Sequence, residues 1–132
     1  VIGDIKLEYI EFKVLIYEVI SKKKNNKIFR NETKKETITM LVNTYNGHSE
    51  SIDKIPNTLN KYISKSCIRK SKINEDDLVN VVKKEIITRL TDRLRYDSID
   101  KVTIQINIVD IKSIYKPYWI ADFRGRNIFI DP

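Results

Sequence analysis

The chain has 132 residues, a formal net charge of +7, 41% hydrophobic residues and one cysteine. That length fits one domain of roughly 100–150 residues, which can bury a core without disulfide or metal staples. Three Gly, three Pro and one Cys exclude a collagen-like or low-complexity chain, an intramolecular disulfide framework and a multi-cysteine zinc site.

Residues 5–20 read IKLEYIEFKVLIYEVI. From Ile10 the pattern alternates, with Ile10, Phe12, Val14 and Ile16 on one side and Glu11, Lys13, Leu15 and Tyr17 on the other. Period two with β-branched and aromatic residues predicts a long strand over the competing helix. Residues 21–36 are a polar, basic connection centred on Asn25-Asn26, fit for a long hairpin reaching into solvent. Lys22, Lys23, Lys24, Lys27, Arg30, Lys34 and Lys35 make it the densest charge cluster. Residues 37–45 form a second strand, antiparallel to the first, with Ile38, Met40, Val42 and Thr44 on one face. Asn46-Gly47 supplies positive φ cheaply and ends it in a tight turn.

After Pro56, the residues Leu59, Tyr62, Ile63, Ser66 and Cys67 fall at helical spacing. They predict a helix of about three turns with Thr58 as N-cap. Lys61, Lys65, Arg69 and Lys70 lie on or near its other side. A longer helix is predicted over 75–95. Asn74 caps it, Glu75, Asp76 and Asp77 suit the positive end of its dipole, and Leu78, Val82, Ile86, Leu90 and Leu94 form its stripe.

Three strands follow. Residues 102–111 alternate Val102, Ile104, Ile106 and Ile108 against Thr103, Gln105 and Asn107, which leaves one side solvated. Lys116-Pro117 interrupts, because proline has no ladder donor. Residues 118–123 and 127–130 then flank Arg124-Gly125-Arg126 as a hairpin. The order β-β-α-α-β-β-β predicts an α+β fold, with a largely antiparallel sheet of about five strands packed on one long helix.

No apolar run is long enough to span a membrane as a helix. Asp4, Lys6, Glu8 and Glu11 break up the start too early for a signal peptide. The first residue is Val, and the last strand stops at once, so both ends read as cut. The expectation is a single α+β domain over 1–132 within a longer protein.

The charge has two readings. It can mark a surface for nucleic acid, an anionic membrane or an acidic partner. It can also reflect codon usage, since Lys outnumbers Arg 18 to 7, Ile occurs 23 times, Asn 11 times and Ala once. An AT-rich genome accounts for much of the Lys excess without a ligand, and Arg, the usual bidentate reader of bases, is scarce.

No catalytic set is legible. His48 is the only histidine, and Cys67 is expected on a buried helix face as a small hydrophobe. A helix start explains Asp76 and Asp77, and strand alternation turns Asp122 to solvent. Gly3, Gly47 and Gly125 are too far apart for a phosphate loop. No catalytic residue, metal or cofactor is expected. Tyr115, Tyr118, Trp119 and Phe123 interleave with Lys116, Arg124 and Arg126, as in single-strand binders that stack bases. The bland reading puts Trp119, Ala121 and Phe123 on the core face of a hairpin.

The second half has a family-like cadence. The acid-rich helix start Asn74-Glu75-Asp76-Asp77 leads to a strand, then to the aromatic strand Tyr118 to Phe123, a Gly turn and a closing Ile128-Phe129-Ile130-Asp131. This resembles PepSY-type domains, and Leu41 to Gly47 resembles a strand and turn of the same kind. The resemblance covers about half the chain and implies two related hairpins, 9–45 and 118–131. It implies a small, non-catalytic accessory module that contacts peptides or partner domains, outside the cytoplasm or attached to membrane proteins. Without it, the cytoplasm is the default.

The expected function is therefore a non-catalytic accessory or interaction module of a larger, bacterial protein, acting through protein or peptide contacts. An exposed strand edge or the basic connection would serve a partner most simply. The partner-binding residues expected are Lys22, Lys23, Lys24, Lys27, Arg30, Lys34, Lys35, Arg124 and Arg126. The alternative is a nucleic-acid-binding domain that uses the same loop and hairpin residues.

Overall fold

The computed structural model describes residues 2–25, 30–95 and 101–132. Its elements are β1 (Ile2–Asn25), β2 (Arg30–Asn43), β3 (Ser49–Ser51), a 3-10 turn (Lys65–Cys67), β4 (Ile68–Arg69), α1 (Glu75–Arg95), β5 (Lys101–Phe123) and β6 (Arg126–Ile130). The fold is α+β. Among the described residues the sheet has six strands in the order β3-β2-β1-β5-β6, and β4 adds beside β1. Every pairing is antiparallel except the short parallel contact of β4 with Tyr9 and Ile10 of β1.

The central strand β1 pairs with β2 from Phe12 to Asn25 and with β5 over nearly its whole length. Leu15, Tyr17 and Val19 of β1, Met40 and Val42 of β2 and Ile106 of β5 form one sheet face. Against it lie Leu78, Val82, Ile86 and Leu90 of α1, and together these residues are the main core cluster. Helix α1 starts where expected. The Asn74 Oδ1 accepts the Asp77 N–H at 3.0 Å, and Glu75, Asp76 and Asp77 occupy the first turn.

The face of β1 against the helix is the Leu15-Tyr17-Val19 set, not the Ile10-Phe12-Val14-Ile16 set that looked more apolar. Val14 and Ile10 are nonetheless buried on the opposite face. Both sides of the strand are thus apolar at its centre, so alternation alone could not say which side meets the helix.

The helix predicted from Thr58 to Cys67 does not form. Residues 52–64 carry no repeating structure beyond bends, and a single 3-10 turn leads into β4. Helical spacing yields a helix only where the stripe is buried, and here Leu59 is 93% and Tyr62 90% exposed. Cys67 is half-buried in the 3-10 turn rather than on a helix face.

The two strands expected on either side of Lys116-Pro117 are one strand, β5. The reason lies in the hydrogen-bond phase. The Thr44 N–H bonds the Glu11 carbonyl at 3.1 Å, so Glu11 turns its main-chain groups away from β5. Glu11/Tyr115 and, two residues on, Tyr9/Pro117 are then non-hydrogen-bonded pairs of the β1–β5 ladder. The nitrogen of Pro117 points to the outer edge of β5, where β6 pairs only from Trp119 onward. No ladder bond is lost there.

Both turns read from glycine are present. Gly47 has φ +77°, and its N–H bonds the Asn43 carbonyl at 2.8 Å. Phe123 pairs with Arg126, which leaves Arg124 (φ 52°) and Gly125 (φ 77°) as a two-residue loop. Positive φ at both positions is the hairpin geometry that matches strand twist.

Candidate functional site

The apolar phase of β1 continues past the helix. Glu75, in the first turn of α1, accepts a bond from the Lys13 ammonium at 3.1 Å, and Lys13 also donates to Ser113 at 2.8 Å. The N-terminus of α1 therefore sits at the level of Lys13. Beyond that level the same sheet face carries Leu7, Trp119 and Ile130 in one row, and Ile5, Ala121 and Ile128 in the next. Ala121 is buried, but Ile5 (55%), Trp119 (42%), Leu7, Ile128 and Ile130 are exposed. Five large apolar side chains in register on two adjoining rows form an open platform. Isolated exposed apolar residues need no explanation, whereas a contiguous set does. The expectation that Trp119 packs in the core is thus corrected: the face is the core face, but the helix ends before reaching it.

Polar groups close the platform on the helix side. Glu11 lies 3.5 Å from Lys13 and accepts from the Tyr115 hydroxyl at 3.3 Å. Burial acts to lower the pKa of Lys13, but the bond to Glu75 and the charges of Glu11 and Glu75 outweigh it and raise the pKa. Burial, with Glu11 beside it, also pushes the Tyr115 phenol up.

The opposite face at this end of the sheet is built differently. Arg69 of β4 donates to Glu8 at 2.7 Å and to the Tyr45 hydroxyl at 3.0 Å. Its guanidinium lies 5.1 Å from the Tyr45 ring centroid and 5.2 Å from that of Phe129. Lys72 stands 4.2 Å over the Tyr45 ring, and Tyr118 meets Phe129 edge-on at 6.2 Å. The hydrogen bond from Arg69 is the main cause that lowers the Tyr45 phenol. Arg69 is neutralised and stacked, so this cluster staples β4 and the Tyr45 turn to the β5–β6 hairpin.

The residues expected to bind a partner do not converge. Lys22, Lys34 and Lys35 are exposed, and the β1–β2 ladder carries Lys23, Lys24 and Arg30 to the same far end. Lys27 lies outside the described residues. Exposed Arg124 and Arg126 sit at the opposite end, beside Phe123, which pairs with Ile2. Lys22 lies twenty positions after Ile2 along β1, up to about 65 Å of strand. The interleaved aromatics divide as well. Tyr115, Trp119 and Phe123 are on the platform side, and Tyr118 is on the Arg69 side.

His48 is exposed in its turn, where its N–H bonds the Asn46 side chain at 2.8 Å. Asp122 is exposed. Among the described residues no three His, Cys, Asp or Glu side chains gather to hold a metal, and no helix is long and apolar enough to cross a membrane.

The open edge of β5 is blunted. Among the described residues it has no outer neighbour from Lys101 to Tyr118. A bulge places an extra residue between Asp110 and Ile108 opposite Ile16 and Tyr17. Leu15/Ile111 is again a non-hydrogen-bonded pair by phase, so the Ile111 N–H faces outward, and the Asp110 carboxylate caps it at 2.9 Å. Bulge, cap and Pro117 together remove the flat run of free donors that strand addition needs.

Among the described residues the fold is thus α+β, with a mostly antiparallel sheet, one covering helix and one uncovered apolar end. No family model, curated protein or solved structure matches the chain.

Proposed function

We propose that this chain is a non-catalytic interaction module that docks a protein partner on the platform of Ile5, Leu7, Trp119, Ile128 and Ile130. The observation that carries this reading is the exposure of these five side chains in register on the face that the helix covers elsewhere. Burying such side chains is worth about 1.5–3 kcal/mol each, and a central tryptophan is the residue type most often found to dominate an interface. The PepSY-like cadence points to the same accessory role. It rests on fewer elements than the sequence offered, because β5 fuses two of its strands.

A photo-crosslinking amino acid placed at Trp119, with Thr103 on the solvated face as control, tests the reading in source cells. A discrete protein adduct from position 119, absent from 103 and lost with Leu7→Ser, is expected. Equal labelling at both positions, or none at 119, overturns it.

A further inference from the structure

Residues 54–74 hold six basic residues, Lys54, Lys61, Lys65, Arg69, Lys70 and Lys72, and no acidic one. Arg69 is taken up by Glu8 and Tyr45. The five lysines are all exposed, and among the described ion pairs none involves them. Ile55 and Ile63 are half-buried. Between and beside them Leu59 and Tyr62 stand out into solvent, 93% and 90% exposed. These are the two most exposed large apolar side chains described, and they share the irregular stretch 54–64, which holds no acidic residue.

We propose that this loop docks the protein on an anionic lipid surface, independently of the platform. Leu59 and Tyr62 enter the boundary between headgroups and acyl chains, and Lys54, Lys61, Lys65 and Lys70 meet the headgroup phosphates and carboxylates, while Lys72 is held over the Tyr45 ring. The chemistry favours lipid over nucleic acid. A protruding leucine gains nothing from stacking on bases, whereas both it and an amphipathic tyrosine suit the interface. The free charges are lysines, which act as point charges toward a diffuse anionic surface and lack the planar fork that reads bases. The contact is peripheral and reversible, because two side chains and four charges do not anchor a chain permanently.

Co-sedimentation of the whole chain with vesicles at low salt is the test. Vesicles of phosphatidylcholine alone are compared with phosphatidylcholine plus phosphatidylserine, and with phosphatidylcholine plus phosphatidylglycerol. Binding to both anionic mixtures and not to the neutral one is expected, weakening as salt rises. Leu59→Ser with Tyr62→Ser is expected to weaken it at least about tenfold. Each of Lys61→Gln, Lys65→Gln and Lys70→Gln is expected to weaken it roughly fivefold. All five positions are exposed, and circular dichroism checks that the fold is unchanged. Absence of binding to anionic vesicles at low salt overturns the proposal. So does binding indifferent to the Leu59/Tyr62 pair, or tighter binding to a single-stranded oligonucleotide than to the vesicles.

Discussion

The Tyr17 hydroxyl donates to the main-chain carbonyl of Val79 at 2.8 Å. Tyr17 is fully buried in the central strand, and Val79 lies in the second turn of α1. One phenol thus satisfies its only polar atom and fixes the helix against the sheet. Tyr17→Phe keeps the ring and removes the bond. The Val79 carbonyl keeps the helix's own bond, so the loss is expected near the low end, about 1 kcal/mol. Denaturant unfolding at neutral pH measures it.

The same residue predicts an alkaline transition. Burial raises the Tyr17 phenol from 10.0 to about 12. Folding therefore favours its protonated form, and the stability it contributes is full below pH 10 and lost as pH rises toward 12. Ionising the buried phenol thus costs the fold about 2–3 kcal/mol. Tyr17→Phe is expected to flatten the stability profile over that window. A wild-type profile and a Phe profile of equal slope there would contradict it.

Asn74→Ala removes the side-chain acceptor for the Asp77 N–H. A loss of about 1 kcal/mol is expected, and Asn74→Asp is expected to recover it, because a carboxylate both caps and complements the dipole. Thermal melts of the two variants decide.

Gly125→Ala meets no steric obstacle, since nothing lies within 4 Å of the added Cβ, but its φ of +77° remains. The cost is expected to be conformational only, about 1–2 kcal/mol. Gly125→Asn is expected to cost less, because asparagine tolerates that region.

Asp110→Val takes the cap from the outward Ile111 N–H and adds an apolar β-branched residue to an open edge. The stability of the fold is expected to change little, while concentration-dependent association increases. Analytical ultracentrifugation of the variant beside the parent checks this. Asp110→Asn, which can still cap, is expected to behave like the parent.

Much of the fold could be read from local chemistry. Helix α1 was legible because its stripe, its cap and its first-turn acids agree. The β1–β2 hairpin and both glycine turns were legible for the same reason. The errors came where a long-range partner decides. Pro117 looked like a break because its nitrogen direction depends on the phase set by Thr44 and Glu11. Leu59 to Cys67 had helical spacing but nothing to pack against. The platform was hidden because Ile5 and Leu7 share the phase of Leu15, and only the point where α1 begins separates covered from uncovered. The run from Lys54 to Asn74 without an acid was visible in the sequence but divided between a loop and a supposed helix.

The place of β1 at the centre of the sheet also sets an order of events during synthesis. It is made before the other described strands, yet it pairs with β5, which follows β2, β3, β4 and α1 in the chain; Ile2 faces Phe123 and Glu11 faces Tyr115. The β1–β2 hairpin can close early, since its strands are neighbours in the chain. One flank of β1 must then wait until β5 has been made, and closing so long a loop is slow. During that interval the nascent chain shows its stickiest strand unpaired, the state in which holding chaperones find their clients.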